Sequence, residues 1–378
     1  MTEDDTPNPA LLPAGLRDVL PPDAETEAHA VEAVMGVFAR HGYERVKPPL
    51  MEFEDSLIQG AGGAVADQTF RLMDPVSQRM MGLRADTTPQ IARIAATRLA
   101  TAPRPLRLSY AGQCLRVRGN QLAPDRQIAQ AGIELIGADT PEADAEVVAV
   151  ATEALAAVGL ARISVDLTMP TLAPALIAHA IPDAEVRGKL ARALDRKDAA
   201  AVTRHGGPLA ATLTTLLLAA GPAKGALDAL RAADLPEETR QIAERLADTV
   251  HAVRLRAPAL RLTVDPVEFR GFRYHTGVAL TVYAPGRNEE LGRGGRYLSH
   301  DGEPATGMTL YPDAILRAAP PYATRPRCYV PSGESGAAAR EAGFATVAGL
   351  APVPDDAAEA RRLNCTHVLR SGTPTALE

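Results

Sequence analysis

Between Arg107 and Gly137 the chain reads RLSYAGQCLRVRGNQLAPDRQIAQAGIELIG, two strands joined by a long loop. In the second strand Gln130, Gly132 and Glu134 alternate with Ala131, Ile133 and Leu135. An amide, a gap and a carboxylate therefore share one face. That face is a poor hydrophobic surface and a good pocket floor, because two polar groups flank a space where a small ligand could lie. Arg116 and Arg118 close the first strand and place guanidinium groups at the mouth of the same hairpin. Asp86, within Arg84-Ala85-Asp86-Thr87-Thr88, stands just before a helix start. Two plainer readings stay open. The hairpin's polar side can simply face water, and Asp86 with Arg84 can merely serve the helix end.

These groups need elements to hold them. A helix is expected from about Asp23 to His41, with Val31, Val34, Met35 and Phe38 on one face and Gly42 as a left-handed stop. Glu44 to Leu50 is extended. Its Pro48-Pro49 pair cannot donate to a central ladder, which places it at a sheet edge or a subunit interface. Gln68 to Leu83 reads as a hairpin turning through Asp74-Pro75-Val76-Ser77. Thr88 is the expected N-cap of a helix whose first residue is Pro89. Thr140-Pro141 opens another capped helix that ends near Gly159, and Ile163 to Leu167 is a strand.

From about Thr171 to Arg256 the chain is rich in Ala and Leu, with no strand pattern, and reads as a helical insertion. Strands resume at Leu260–Val264 and Val278–Tyr283, and Gly292 to Tyr297 reads as a Gly-rich turn. It lacks the ending of a phosphate-binding P-loop. The expected fold class is α+β. Residues 11–165 and 260–318 would form one antiparallel sheet with flanking helices, interrupted by a helical insertion over 166–259. Pro320-Pro321 marks a linker to a small C-terminal α/β domain, 321–378. At that size it is near the limit for folding alone.

Composition narrows the function. The chain has 378 residues, a formal net charge of −6 and no Trp, so neither a bulk positive field nor base stacking favours nucleic acid. Cys114, Cys328 and Cys365 are far apart, without the spacing of a zinc site or a disulfide framework. MTEDDTPNPA is acidic and unlike a signal peptide, and no apolar run is long enough to span a bilayer. A cytoplasmic protein without a metal or cofactor is expected.

Taken together, the motifs over residues 11–318 resemble the catalytic core of histidyl-tRNA synthetase, a class II aminoacyl-tRNA synthetase. The family's R-P-E-G-T is here Arg84-Ala85-Asp86-Thr87-Thr88, and its ATP-contacting F-R-x-E is Leu115-Arg116-Val117-Arg118. Its R-Q-F-x-Q-x-G-x-E is Arg126 to Glu134, its R-G-L-D-Y-Y is Arg270 to His275, and its G-G-R-Y is Gly294 to Tyr297. The resemblance implies a histidine site built from Asp86, Thr88, Arg116, Gln130, Glu134, Arg270, Tyr274 and His275. Asp86, Thr88 and Gln130 would meet the α-amino end, Glu134 the imidazole, and Arg270 the carboxylate. The donors and acceptors match: imidazole N–H and ammonium donate, carboxylates accept.

The departures shape the functional expectation. Where the family places an arginine on the ATP phosphates this chain has Ala314, and the F-R-x-E carboxylate is Arg118. Each lost charge contact to a transition state costs about 3–4 kcal/mol, so adenylate formation is not expected. A core that keeps the amino-acid site and loses the ATP site resembles the regulatory subunits of ATP phosphoribosyltransferase. That resemblance implies a non-catalytic homodimer that joins a short-form catalytic subunit in a hetero-octamer, activates it, and relays feedback inhibition by L-histidine without binding tRNA. The competing readings are an active histidyl-tRNA synthetase with degenerate motifs and an enzyme that aminoacylates a carrier protein. Both need a working ATP site.

Overall fold

The structure, a computed structural model, describes residues 11–119, 124–269 and 274–377. It divides into residues up to Pro320 and residues from Pro321 onward.

The first unit is built on a nine-stranded sheet. Its order is Glu44–Arg45, Leu106–Leu115, Gln127–Ile136, Pro304–Leu310, Glu290–Leu298, His275–Tyr283, Ser164–Thr168, Arg261–Asp265 and Gly221–Pro222. Pairing is antiparallel except at two places, where Glu44–Arg45 runs parallel to Leu106–Leu115 and Ser164–Thr168 runs parallel to Arg261–Asp265. The sheet is thus mixed and mostly antiparallel, in accord with the expected class II synthetase-like α+β fold.

The two sheet faces carry different loads. Ala131, Ile133 and Leu135 join a large apolar core with the Asp23–Arg40 and Pro141–Ala157 helices and with the helices between Leu172 and Arg256. On the opposite face, Ile91, Ala92 and Ala95 of the Thr88–Thr97 helix pack on Leu108, Tyr110, Ile136 and Tyr297. This second face carries Gln130, Gly132 and Glu134, so the helix lies over them rather than leaving them in water. Gly132 is required here: a β-carbon would sit 2.4 Å from the Tyr110 hydroxyl.

Three sequence expectations change. The helical stretch contains a two-residue strand, Gly221–Pro222, which caps the far edge of the sheet. The Gly-rich segment 292–297 is strand rather than turn. Its glycines allow close approach, since a β-carbon at Gly294 would lie 2.0 Å from the Gly307 carbonyl oxygen. Thr88 is not a cap by side chain. Its backbone N–H donates to Asp86 Oδ1 at 3.0 Å, and its hydroxyl turns into the sheet face.

A separate three-stranded sheet holds Met51–Phe53, Met80–Leu83 and Arg71–Met73 in that order. The expected turn between the last two is closed by Asp74, which accepts the N–H groups of Val76 and Ser77.

The unit from 321 has its own four-stranded sheet, in the order Ala345–Ala348, Arg327–Val330, His367–Arg370, Thr373–Ala376. The first three strands are parallel, with the Ala337–Glu341 and Asp356–Arg362 helices between them in sequence. The last is an antiparallel hairpin strand turning through Ser371-Gly372, both at positive φ (49° and 78°). That is the two-residue turn whose twist matches paired strands.

Candidate functional site

Glu134 is the centre of the second face and is 1% exposed. Thr88 Oγ1 donates to its Oε1 at 2.9 Å, and the Tyr297 hydroxyl donates to its Oε2 at 2.9 Å. The Tyr110 hydroxyl lies between Thr88 Oγ1 at 3.4 Å and Thr309 Oγ1 at 2.7 Å, closing a ring of hydroxyls around the carboxylate. No basic side chain among the described residues pairs with Glu134. Burial pushes its carboxyl up to about 8, against the Tyr297 and Thr88 hydrogen bonds, and the charge on Asp86 adds to the rise. The carboxylate fits because its strand neighbour is Gly307, where a β-carbon would stand 1.8 Å from Oε2.

Gln130 is two residues along the same face from the Gly132 gap and is also 1% exposed. Its Oε1 accepts from the Thr87 N–H at 3.0 Å and from Cys114 Sγ at 3.1 Å. Its Nε2 is buried and has no partner among the described residues, so a donor waits for an acceptor. Cys114 is part of this support, with burial pushing its thiol up to about 12. The segment from Arg84 is strapped down in turn: Arg84 Nε donates to the Gln113 carbonyl at 2.8 Å. Gly112 clears space for that guanidinium, since a β-carbon would meet Nη2 at 2.4 Å.

Asp86 does serve the helix start, but it also stands within electrostatic reach of Glu134, Tyr110, Tyr274 and Tyr311. A carboxylate and a buried carboxyl on one face favour a ligand that brings hydrogen-bond donors. Arg116 lies beside this group, its Nε donating to the Ala85 carbonyl at 3.3 Å. Arg118 is exposed and does not enter the pocket. Tyr274 and His275 stack with ring centroids 4.1 Å apart, and Tyr274 meets Tyr297 edge-on at 6.1 Å. His275 pairs across the sheet with Tyr297. Arg270 lies outside the described residues, and with it the possible Glu134–Arg270 pair. The structure therefore gathers Asp86, Thr88, Gln130, Glu134, Tyr274 and His275 around one face, with Arg116 at its rim.

Sequence reasoning missed several neighbours. Tyr297, Tyr110, Thr309 and Gly307 complete the surroundings of Glu134. Arg293 and Tyr311 stand within electrostatic reach of each other and of Tyr274, and burial pushes the Tyr311 phenol up to about 12. Strand alternation from Tyr297 back to Arg293 was the available signal, hidden while the segment read as a turn. At the expected phosphate position, Ala314 is 3% exposed and packs in the main core.

The described residues hold no cluster of acidic, His or Cys groups arranged for a metal, and no helix long and apolar enough to cross a membrane.

Comparison with known proteins gives one answer at two depths. Residues 15–315 match the family model described as histidyl-tRNA synthetase. The ATP phosphoribosyltransferase regulatory subunit of Gluconobacter oxydans is 56% identical over 376 residues, covering 99% of both chains. That of Paramagnetospirillum magneticum is 55% identical over 372 residues, covering 98% of both. A crystal structure described as an ATP phosphoribosyltransferase regulatory subunit/histidyl-tRNA synthetase from Bacillus halodurans superposes with a TM-score of 0.83. It is 25% identical and covers 96% of this chain and 98% of that one. Histidyl-tRNA synthetase from Nostoc sp. PCC 7120, at 17% identity and TM-score 0.77, shares the fold, covering 96% of this chain and 91% of its own. With a synthetase-like core and relatives above 50% identity over nearly its whole length, the chain belongs to the ATP phosphoribosyltransferase regulatory subunits, a family of regulatory rather than catalytic chains.

Proposed function

We propose that this chain activates a short-form ATP phosphoribosyltransferase catalytic subunit and relays feedback inhibition by L-histidine bound over Gln130, Gly132 and Glu134. The observation that supports this reading is a buried polar group on one sheet face, in a chain whose residue at the synthetases' phosphate-arginine position is alanine. Gln130 and Glu134 are held in a built ring of partners, while Ala314 is core packing. In the bound state Glu134 accepts an imidazole N–H, Asp86 and Thr88 face the α-amino end, and Arg270 takes the carboxylate. Arg116, Tyr274 and His275 line the rest. The assembly is a cytoplasmic hetero-octamer built on homodimers, with no tRNA bound. The Glu44–Arg45 edge strand suits the homodimer contact, and Pro48-Pro49 just beyond it stops that edge from continuing as a ladder.

The test is a histidine titration of phosphoribosyl transfer in the reconstituted complex, wild type against Glu134→Gln. A hydrogen bond contributes about 0.5–1.5 kcal/mol when neutral and about 1.5–3 when charged, so inhibition should shift upward by roughly twofold to a hundredfold while activation persists. An effector acts only through its differential affinity for two states, so lost binding must appear as lost inhibition. An unchanged curve in a stable, activating variant would place histidine elsewhere. Histidine-dependent ATP–pyrophosphate exchange by the purified chain would overturn the regulatory reading altogether.

A further inference from the structure

Tyr297 reaches Glu134 from a strand whose next residue toward the N-terminus points the other way. Arg296 is 5% exposed and its guanidinium is fully engaged. Nη1 donates to the Ala138 carbonyl at 2.8 Å and lies 3.1 Å from Asp139 Oδ1. Nη2 donates to Asp144 Oδ1 at 2.8 Å and to the Thr140 carbonyl at 3.1 Å, and Nε to Asp144 Oδ2 at 3.3 Å. Its stem lies across Gly277 of the neighbouring strand, where a β-carbon would come within 2.9 Å of Arg296 Cδ. The acceptors all belong to the turn and first helical residues that directly follow the Gln127–Ile136 strand, which carries Glu134. One guanidinium thus ties the strand of Tyr297 to the end of the strand of Glu134. Arg245, from the Glu237–Arg256 helix, joins the same node: Nη2 donates to Asp139 Oδ1 at 2.9 Å and lies 3.9 Å from Asp144 Oδ2. Two cations and two carboxylates balance there, so the node is neutral.

Given the ligand pocket proposed above, we infer that Arg296 is a positioning residue for it: by pinning its strand to the 138–144 turn it holds the Tyr297 hydroxyl on Glu134, and Arg245 ties that contact to the Glu237–Arg256 helix. The planar fork matters as much as the charge. It makes four hydrogen bonds to two carbonyls and the Asp144 carboxylate, with Asp139 as a further ion-pair partner, a pattern a lysine ammonium cannot copy. The effect on Glu134 follows from hydrogen bonding. A hydroxyl that donates to a carboxylate favours its charged form, so a displaced Tyr297 leaves the carboxyl harder to ionise. Asp86, Thr88 and Tyr110 face Glu134 from the other elements and are untouched by the change.

The experiment is a double-mutant cycle on the full chain with Arg296→Lys and Tyr297→Phe. Its readout is the titration midpoint of Glu134 in ligand-free protein, followed by carboxyl infrared bands of ¹³C-labelled glutamate and assigned with Glu134→Gln. Each single variant should raise the midpoint by about half a unit or more. The double variant should match Tyr297→Phe alone, because Arg296 acts through that hydroxyl. A midpoint unmoved by Arg296→Lys, or two shifts that add, would overturn the inference. If Arg296→Lys fails to fold, Arg245→Met carries the test: a smaller upward shift supports the node, and an unmoved midpoint overturns it. Histidine affinity measured on the same proteins keeps the two levels apart. Absence of histidine binding in wild type sinks the ligand reading, while the midpoint cycle still decides whether Arg296 positions Tyr297.

Discussion

Glu134 is a carboxyl group whose folded environment favours the proton. Its folded value of about 8 exceeds the ordinary 4.5, so between those pH values the native state binds more protons than the unfolded chain. Stability from this group is therefore fully present below about pH 4.5 and is lost as pH rises through 8, an effect on the order of a few kcal/mol. Glu134→Gln stays neutral and should escape that loss. Urea midpoints of ligand-free protein at pH 5 and pH 9 would show a larger fall for wild type than for the variant, and parallel declines would refute the assignment. Gly307 offers a second check. A methyl group there collides with the carboxylate, so Gly307→Ala should destabilise by about 1–3 kcal/mol and abolish histidine binding in calorimetry. Retained affinity would mean that Glu134 can move without cost.

Local signals recovered elements well wherever the sequence itself supplies the partner. The Asp23–Arg40 helix and the 71–83 hairpin follow from periodicity and turn chemistry. Thr140 behaves as an N-cap, its Oγ1 accepting the Ala143 N–H at 3.3 Å. Thr140→Ala should cost about 1 kcal/mol in denaturant midpoint, and Thr140→Ser should restore it. Failures share a cause: the deciding contact lies far along the chain. Gly292 to Tyr297 looks like a turn until the Pro304–Leu310 strand lies against it, and Gly221–Pro222 becomes a strand only beside Thr263 and Val264. Thr88 looks like a cap until Glu134, 46 residues on, accepts its hydroxyl. The polar face of Gln130 and Glu134 was legible because alternation is local. Its neighbours Tyr110, Tyr297 and Thr309 were not.

At the scale of the whole molecule, the described site residues all lie before Pro321, inside the first compact unit. A chain ending at Pro320 should therefore bind histidine with unchanged affinity by calorimetry. A lost or weakened isotherm from a folded truncation would show that residues 321–378 complete the pocket.

The parallel pairing of Ser164–Thr168 with Arg261–Asp265 has a consequence for the ribosome. Asp166 and Thr263 sit side by side yet are 97 residues apart in sequence. The strand's other neighbour, His275–Tyr283, is made later still. At 5–20 residues per second, Ser164–Thr168 waits roughly 5–20 s with both edges unpaired while the intervening helices are synthesised. Over that interval its cover comes from chain already made, such as the Pro141–Ala157 helix that shares its core, and from the helical segment emerging behind it. A shielding share for the helical stretch predicts that variants weakening those helices lose yield during synthesis before they lose stability once folded.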